Sequence, residues 1–144
     1  MHNDLIPHLN DAYLVGQTAV AALAPQLLRP LDKALTLVLD HHVIIYPPSK
    51  LHSNWLAGVD SQDPESDRHY TVAHEDGRYT CTCPCFIKRT YTHRGRVYCK
   101  HILATQLYIK AIKAREESVP YNAPFQAQLI NDFERRNQVQ LVRA

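Results

Sequence analysis

The sequence predicts an α+β fold: a small antiparallel sheet, a hairpin tied to a helix by zinc, and helices flanking both ends. Three observations point there. Apolar residues recur at helical spacing before residue 40 and after residue 99. Between them lie short β-rich runs, two of which are separated by Asp76-Gly77, a dipeptide that suits hairpin turns because glycine accepts positive φ. All four cysteines crowd into residues 81–99, where a disulfide scaffold would spread them through the chain.

In chain order, Asn10 or Asp11 is placed to cap a first helix with Leu14, Val15, Ala19, Val20 and Leu23 on its apolar face. Pro25 and Pro30 interrupt the stretch after it. A second helix is expected over 31–40, with Leu31, Ala34, Leu35 and Val38 inward. Val43-Ile44-Ile45-Tyr46, stopped by Pro47-Pro48, reads as a strand, and 54–59 as a second. An acidic loop fills 60–68. The runs 69–73 and 78–81 form the hairpin that delivers Cys81 and Cys83 at its end. Residues 99–114 read as a helix whose buried stripe is Leu103, Leu107 and Ala111, flanked by Ile102 and Ile109. Ile102, Gln106, Ile109 and Lys113 are not all expected in the core. A last helix is expected over 124–136, capped by Asn122, with Phe125, Leu129, Ile130 and Phe133 inward. The implied organisation is a helical extension (1–42), a zinc-bearing domain (43–115) and a second helical extension (116–144).

Composition narrows the function. The chain has 144 residues, 45% hydrophobic and 21% charged, which describes an ordinary globular protein. No apolar run is unbroken enough to span a bilayer and no signal-type leader is apparent, so an intracellular location is expected, cytoplasmic or, in a prokaryote, nucleoid-associated. Four glycines (16, 58, 77 and 95) cannot build a phosphate-binding loop, and no small-molecule substrate is expected. The formal net charge of +2 conceals an asymmetry. Residues 1–76 hold four basic and ten acidic side chains, whereas 77–115 hold nine basic and none acidic.

Cys81-x-Cys83 and Cys99-x-His101 supply four ligands of the kind zinc takes in a tetrahedral structural site. Pro84 favours a turn after Cys83, and Cys99 and His101 fall at a helix start, where unpaired N–H groups stabilise thiolate. Such a site contributes about 10–16 kcal/mol of apparent binding energy, which couples to folding. One zinc ion is the expected cofactor. Cys85 and His93 stand nearby as substitute ligands, and Cys83 with Cys85 is an alternative pair. Four protein ligands close the shell, and no carboxylate lies between Asp76 and Glu116 to assist hydrolysis, so no enzymatic activity is expected.

The stretch 79–86, YTCTCPCF, followed by 99–107, CKHILATQL, resembles a SWIM-type zinc finger, whose pattern is Cys-x-Cys, a variable gap and Cys-x-His. HYTVAHEDGRYT is similar to the hairpin that precedes the cysteines in that family, and the likeness extends over about 43–114. It implies DNA binding or protein contact by an accessory module, since such fingers occur in bacterial remodelling-type ATPases, plant transposase relatives and ubiquitin-linked signalling proteins. The chain departs from the pattern at Cys85, where the family usually has an acidic or polar residue. That makes Cys85 a candidate oxidation-sensitive thiol.

The gap between the ligand pairs interleaves Lys88, Arg89, Arg94 and Arg96 with Phe86, Tyr91, His93 and Tyr98. Basic side chains bind phosphate by releasing counterions, and aromatic rings can stack on unpaired bases. The expected nucleic-acid contacts are Lys88, Arg89, Tyr91, Arg94, Arg96, Lys100, Lys110 and Lys113, with DNA favoured over RNA as partner. The alternative is an adaptor that docks on a protein through the finger or the terminal helices.

Overall fold

The computed structural model describes residues 3–50, 54–61, 65 and 67–117. The helix expected over 124–136 lies outside the described residues. A 3-10 turn (Asn3–Leu5) leads into α1 (Ile6–Leu23), and another (Pro25–Leu27) joins it to α2 (Leu28–Leu39). Strands β1 (Val43–Tyr46), β2 (Leu56–Asp60), β3 (His69–Glu75) and β4 (Arg78–Cys81) form one antiparallel sheet in sequential order. A short helix α3 (Pro84–Ile87), a two-stranded ribbon of β5 (Tyr91–His93) and β6 (Arg96–Tyr98), and the long helix α4 (Lys100–Glu117) complete the fold.

The α+β class is as the sequence indicates, and the strands fall close to their expected places. The first helix differs. It begins at Ile6, upstream of Asn10 and Asp11, because Pro7 sits in its first turn, where a missing N–H costs nothing. Its buried face is Leu9, Ala12, Gly16 and Val20, while Leu14, Val15 and Leu23 are 57%, 55% and 53% exposed. Of the expected face, Val20 is buried as read, whereas the contact otherwise runs through Leu9 and the small residues Ala12 and Gly16. Pro30 likewise lies within the first turn of α2 and does not break it. Tyr13 clasps α1 to α2 by donating its hydroxyl proton to Asp32 Oδ1. That bond, with the carboxylate charge beside it, pushes the Tyr13 pKa up to about 12. The clasp is therefore intact below the ordinary tyrosine pKa and is lost as pH rises through the raised one.

Helix α4 sits between two layers. The sheet packs on one side, and α1 and α2 pack on the other. Every residue from His101 to Leu107 is buried, and Ile109 and Ala111 follow. Ile102, Gln106 and Ile109 are thus all interior, contrary to the narrow stripe that a one-sided helix requires. Burial all round is what a helix shows when it is enclosed on both faces. The sheet turns Ala57, Val59, Val72 and Cys81 toward α4 by the two-residue alternation of its strands.

The two faces of α1 can be told apart by stability. Leu9→Ala is expected to cost ~2–5 kcal/mol in denaturant unfolding, as for a filled core site. Leu14→Ala should shift it by less than about 0.5 kcal/mol, as for an exposed position.

Candidate metal centre

The donor atoms arrive from three elements. Cys81 ends β4 on the inward face, Cys83 follows after one residue, and Cys99 and His101 open α4. Cys83 caps α3: its Sγ accepts the Phe86 N–H at 3.4 Å. Cys99 does the same for α4, its Sγ accepting the Ile102 N–H at 3.4 Å while its carbonyl accepts from Leu103. Both sulfurs therefore face backbone N–H groups that stabilise negative charge.

All four ligand atoms lie within 4.8 Å of one another, and all four residues are buried. His101 presents Nδ1, which lies 3.7 Å from Cys81 Sγ and 3.9 Å from Cys99 Sγ. A tetrahedron with Zn–S near 2.3 Å and Zn–N near 2.05 Å has an S–N edge of roughly 3.6 Å, so the donors are already spaced for that ion. Their acid–base chemistry agrees. Cys83 is held well below the ordinary thiol range, first by hydrogen bonding from Cys81. Cys81 is pushed up to about 12, first by that same hydrogen bond, which favours its protonated form. Cys99 is pushed up as well, by hydrogen bonding to Cys81 and Cys83 and then by burial. Ionising all three buried thiols together needs a cation, and a divalent one offsets the repulsion. These donors form the site of one structural zinc ion. Of the substitute ligands, Cys85 is exposed on α3 and His93 lies on β5; neither belongs to the cluster.

Two features of the site were not read from the sequence. Tyr70 packs its ring against His101, with centroids 4.8 Å apart, and orients the imidazole. Its place two residues before inward-facing Val72 was the available signal. The β5–β6 ribbon was also missed, because its turn is Arg94-Gly95 and carries no Asn or Asp. Two bonds fix the ribbon: Gln26 Nε2 donates to the Thr92 carbonyl at 3.1 Å, and Arg96 Nη1 donates to the Gly77 carbonyl at 3.0 Å. The rings of His74 and Tyr79 meet at a tilt of 39°, with centroids 4.5 Å apart. Burial, and then the Arg96 charge, hold the His74 pKa below its ordinary value.

The expected nucleic-acid contacts are scattered by the fold. Lys88, Arg89 and Arg94 are exposed on the segment between the ligand pairs. Arg96 is exposed but bonded to Gly77. Tyr91 is half-buried and packs on the core, as do Phe86 and Tyr98. Lys100, Lys110 and Lys113 are half-buried along α4, the last two roughly 15–20 Å beyond the first by helical rise. Arg115 pairs with Asp4 at 3.9 Å and Glu116 at 3.3 Å.

Cys81→Ser and Cys99→Ser are expected to lose zinc and unfold the hairpin–helix unit, whereas Cys85→Ser should retain one ion per chain by elemental analysis. Acidification should release the metal, since protons compete for the thiolates and imidazole. Zinc content well below one in Cys85→Ser would reassign the fourth ligand.

The SWIM zinc finger family model matches residues 70–110, from Tyr70 in β3 to Lys110 in α4. No curated protein and no solved structure matched the chain. The matched segment contains all four clustered donors, in the order Cys-x-Cys and Cys-x-His. Over residues 70–110 this chain is therefore similar to the SWIM zinc finger, and the helix of that segment packs against the N-terminal helices of the same chain.

Proposed function

We propose that the protein is a non-catalytic accessory factor that binds nucleic acid, DNA in preference to RNA, through the exposed basic segment between its zinc ligands. The observation that carries this reading is the exposure of Lys88, Arg89 and Arg94 on a stretch, residues 77–115, that contains no acidic residue. Phosphate binding by such side chains is driven by counterion release. The first turns of α4 are buried, so the finger does not offer its helix to a groove in the manner of a ββα finger; the contact falls on the segment before it. Catalysis has little to work with. The four protein ligands fill a tetrahedral shell, and no carboxylate accompanies them in sequence. The clustered thiols suit a reducing, intracellular compartment. Among the described residues no helix is long and apolar enough to cross a membrane.

A second reading, an adaptor docking on a protein partner, is favoured by a different surface. Leu14, Val15 and Leu23 on α1, and Ile44 and Tyr46 on β1, are all about half exposed or more. The two readings use different residues and are compatible.

Anisotropy titrations against single- and double-stranded DNA and RNA, at low and near-physiological salt, test the first reading. The expected result is salt-dependent binding to DNA that weakens when Lys88, Arg89 and Arg94 are replaced together by Ala. That variant spares the Arg96 latch and should flatten the duplex log–log salt slope by roughly 2.7. Absence of binding to every nucleic acid at low salt ends this reading.

A further inference from the structure

We propose that Arg89 and Arg94 form a two-point grip on the phosphodiester backbones flanking a groove of duplex DNA; this rests on the nucleic-acid reading above. The starting point is the backbone. Among the described residues, four other than glycine have positive φ: His41, Asp76, Arg89 and Arg94, at 62°, 52°, 55° and 51°. His and Asp are among the types that tolerate the left-handed region; arginine is not, because its Cβ crowds the following carbonyl oxygen.

Each arginine occupies a position whose local chemistry calls for something else. Arg89 follows the C-cap of α3, with its own N–H donating to the Phe86 carbonyl and the Thr90 N–H to the Cys85 carbonyl. That is the Schellman pattern, in which glycine is the usual occupant of the left-handed position. Arg94 precedes Gly95 in the β5–β6 turn, and both have positive φ. The equivalent turn of the β3–β4 hairpin, Asp76-Gly77, carries a residue that suits it. The chain thus follows the turn rules in one hairpin and departs from them in the basic segment, twice, each time for arginine. A guanidinium kept where the backbone disfavours it points to a use for the side chain.

The geometry selects the partner. Arg89 and Arg94 lie on either side of β5, five residues apart, so their α-carbons are separated by no more than roughly 17 Å. Within that limit two long, exposed side chains can reach phosphates on both sides of the B-form major groove, about 12 Å wide. An unpaired strand would instead need stacking platforms. The segment's large rings do not serve as such, since Phe86, Tyr91 and Tyr98 pack against the core. Gln26 and Arg96 hold the ribbon in place, so the spacing is preset before any partner arrives.

The test uses the full chain with zinc bound and compares Arg89→Asn, Arg94→Asn and Lys33→Ala, the last removing an exposed charge on α2. Asparagine accepts the left-handed backbone, so both arginine variants should keep one zinc and a melting temperature no lower than the parent. Each should weaken binding to duplex DNA several-fold and reduce the salt slope by about one, while Lys33→Ala changes neither. The parent should bind duplex DNA about tenfold more tightly than a single strand of equal length. It should also prefer it to an RNA duplex, whose major groove is deep and narrow. Equal or tighter binding to the single strand, or an unchanged salt slope in either arginine variant, overturns the grip and leaves the broader reading standing; equal or tighter binding to the RNA duplex overturns the grip and the DNA preference, leaving only nucleic-acid binding. Failure of the parent to bind any nucleic acid removes both.

Discussion

Three buried thiols and an imidazole that must share one cation set the terms for the rest of this molecule. The donors come from the end of a strand, the loop after it and the first turn of α4. Without a divalent ion the cluster can stabilise one thiolate, at Cys83, while Cys81 and Cys99 resist ionisation. With it, the sheet and the most enclosed helix are joined at a fixed angle. Metal binding and burial of α4 are therefore coupled, because the residues after His101 are those that fill the space between the layers.

From that junction the other contacts follow in sequence. Cys83 and Cys99 each begin a helix by accepting a backbone N–H, so the metal site also fixes where α3 and α4 start. The segment between them has both ends pinned and is folded back as a ribbon that Gln26 and Arg96 hold from either side. Its aromatic residues turn inward and its basic residues outward. The result is a charged surface on a rigid support, which suits phosphate recognition better than a mobile loop does.

How much of this was legible in the sequence depends on how local the cause is. The ligand set is local, because Cys-x-Cys and Cys-x-His each place two donors within one turn of chain. The β3–β4 hairpin is equally local, being set by Asp76-Gly77. The buried face of α1 is not. Leu14, Val15 and Leu23 look interior by hydrophobicity, yet the helix packs through Leu9, Ala12, Gly16 and Val20, since its neighbours decide how closely it can approach. The enclosure of Gln106 and Ile109 is also a tertiary fact, invisible until a second layer covers α4. The β5–β6 ribbon is hard to read from the sequence because Arg94 stands where such a turn ordinarily carries Asn or Asp.

The position of α4 between two layers bears on how far this finger can be moved as a unit. The segment that matches the family model ends within α4 and excludes the α1–α2 pair that shields its far side. Cut out along those limits, the finger would keep every metal ligand but present Leu103 and Leu107, or their neighbours, to water. In this chain the portable part of the motif is its coordination chemistry; its solubility is borrowed from the helices ahead of it.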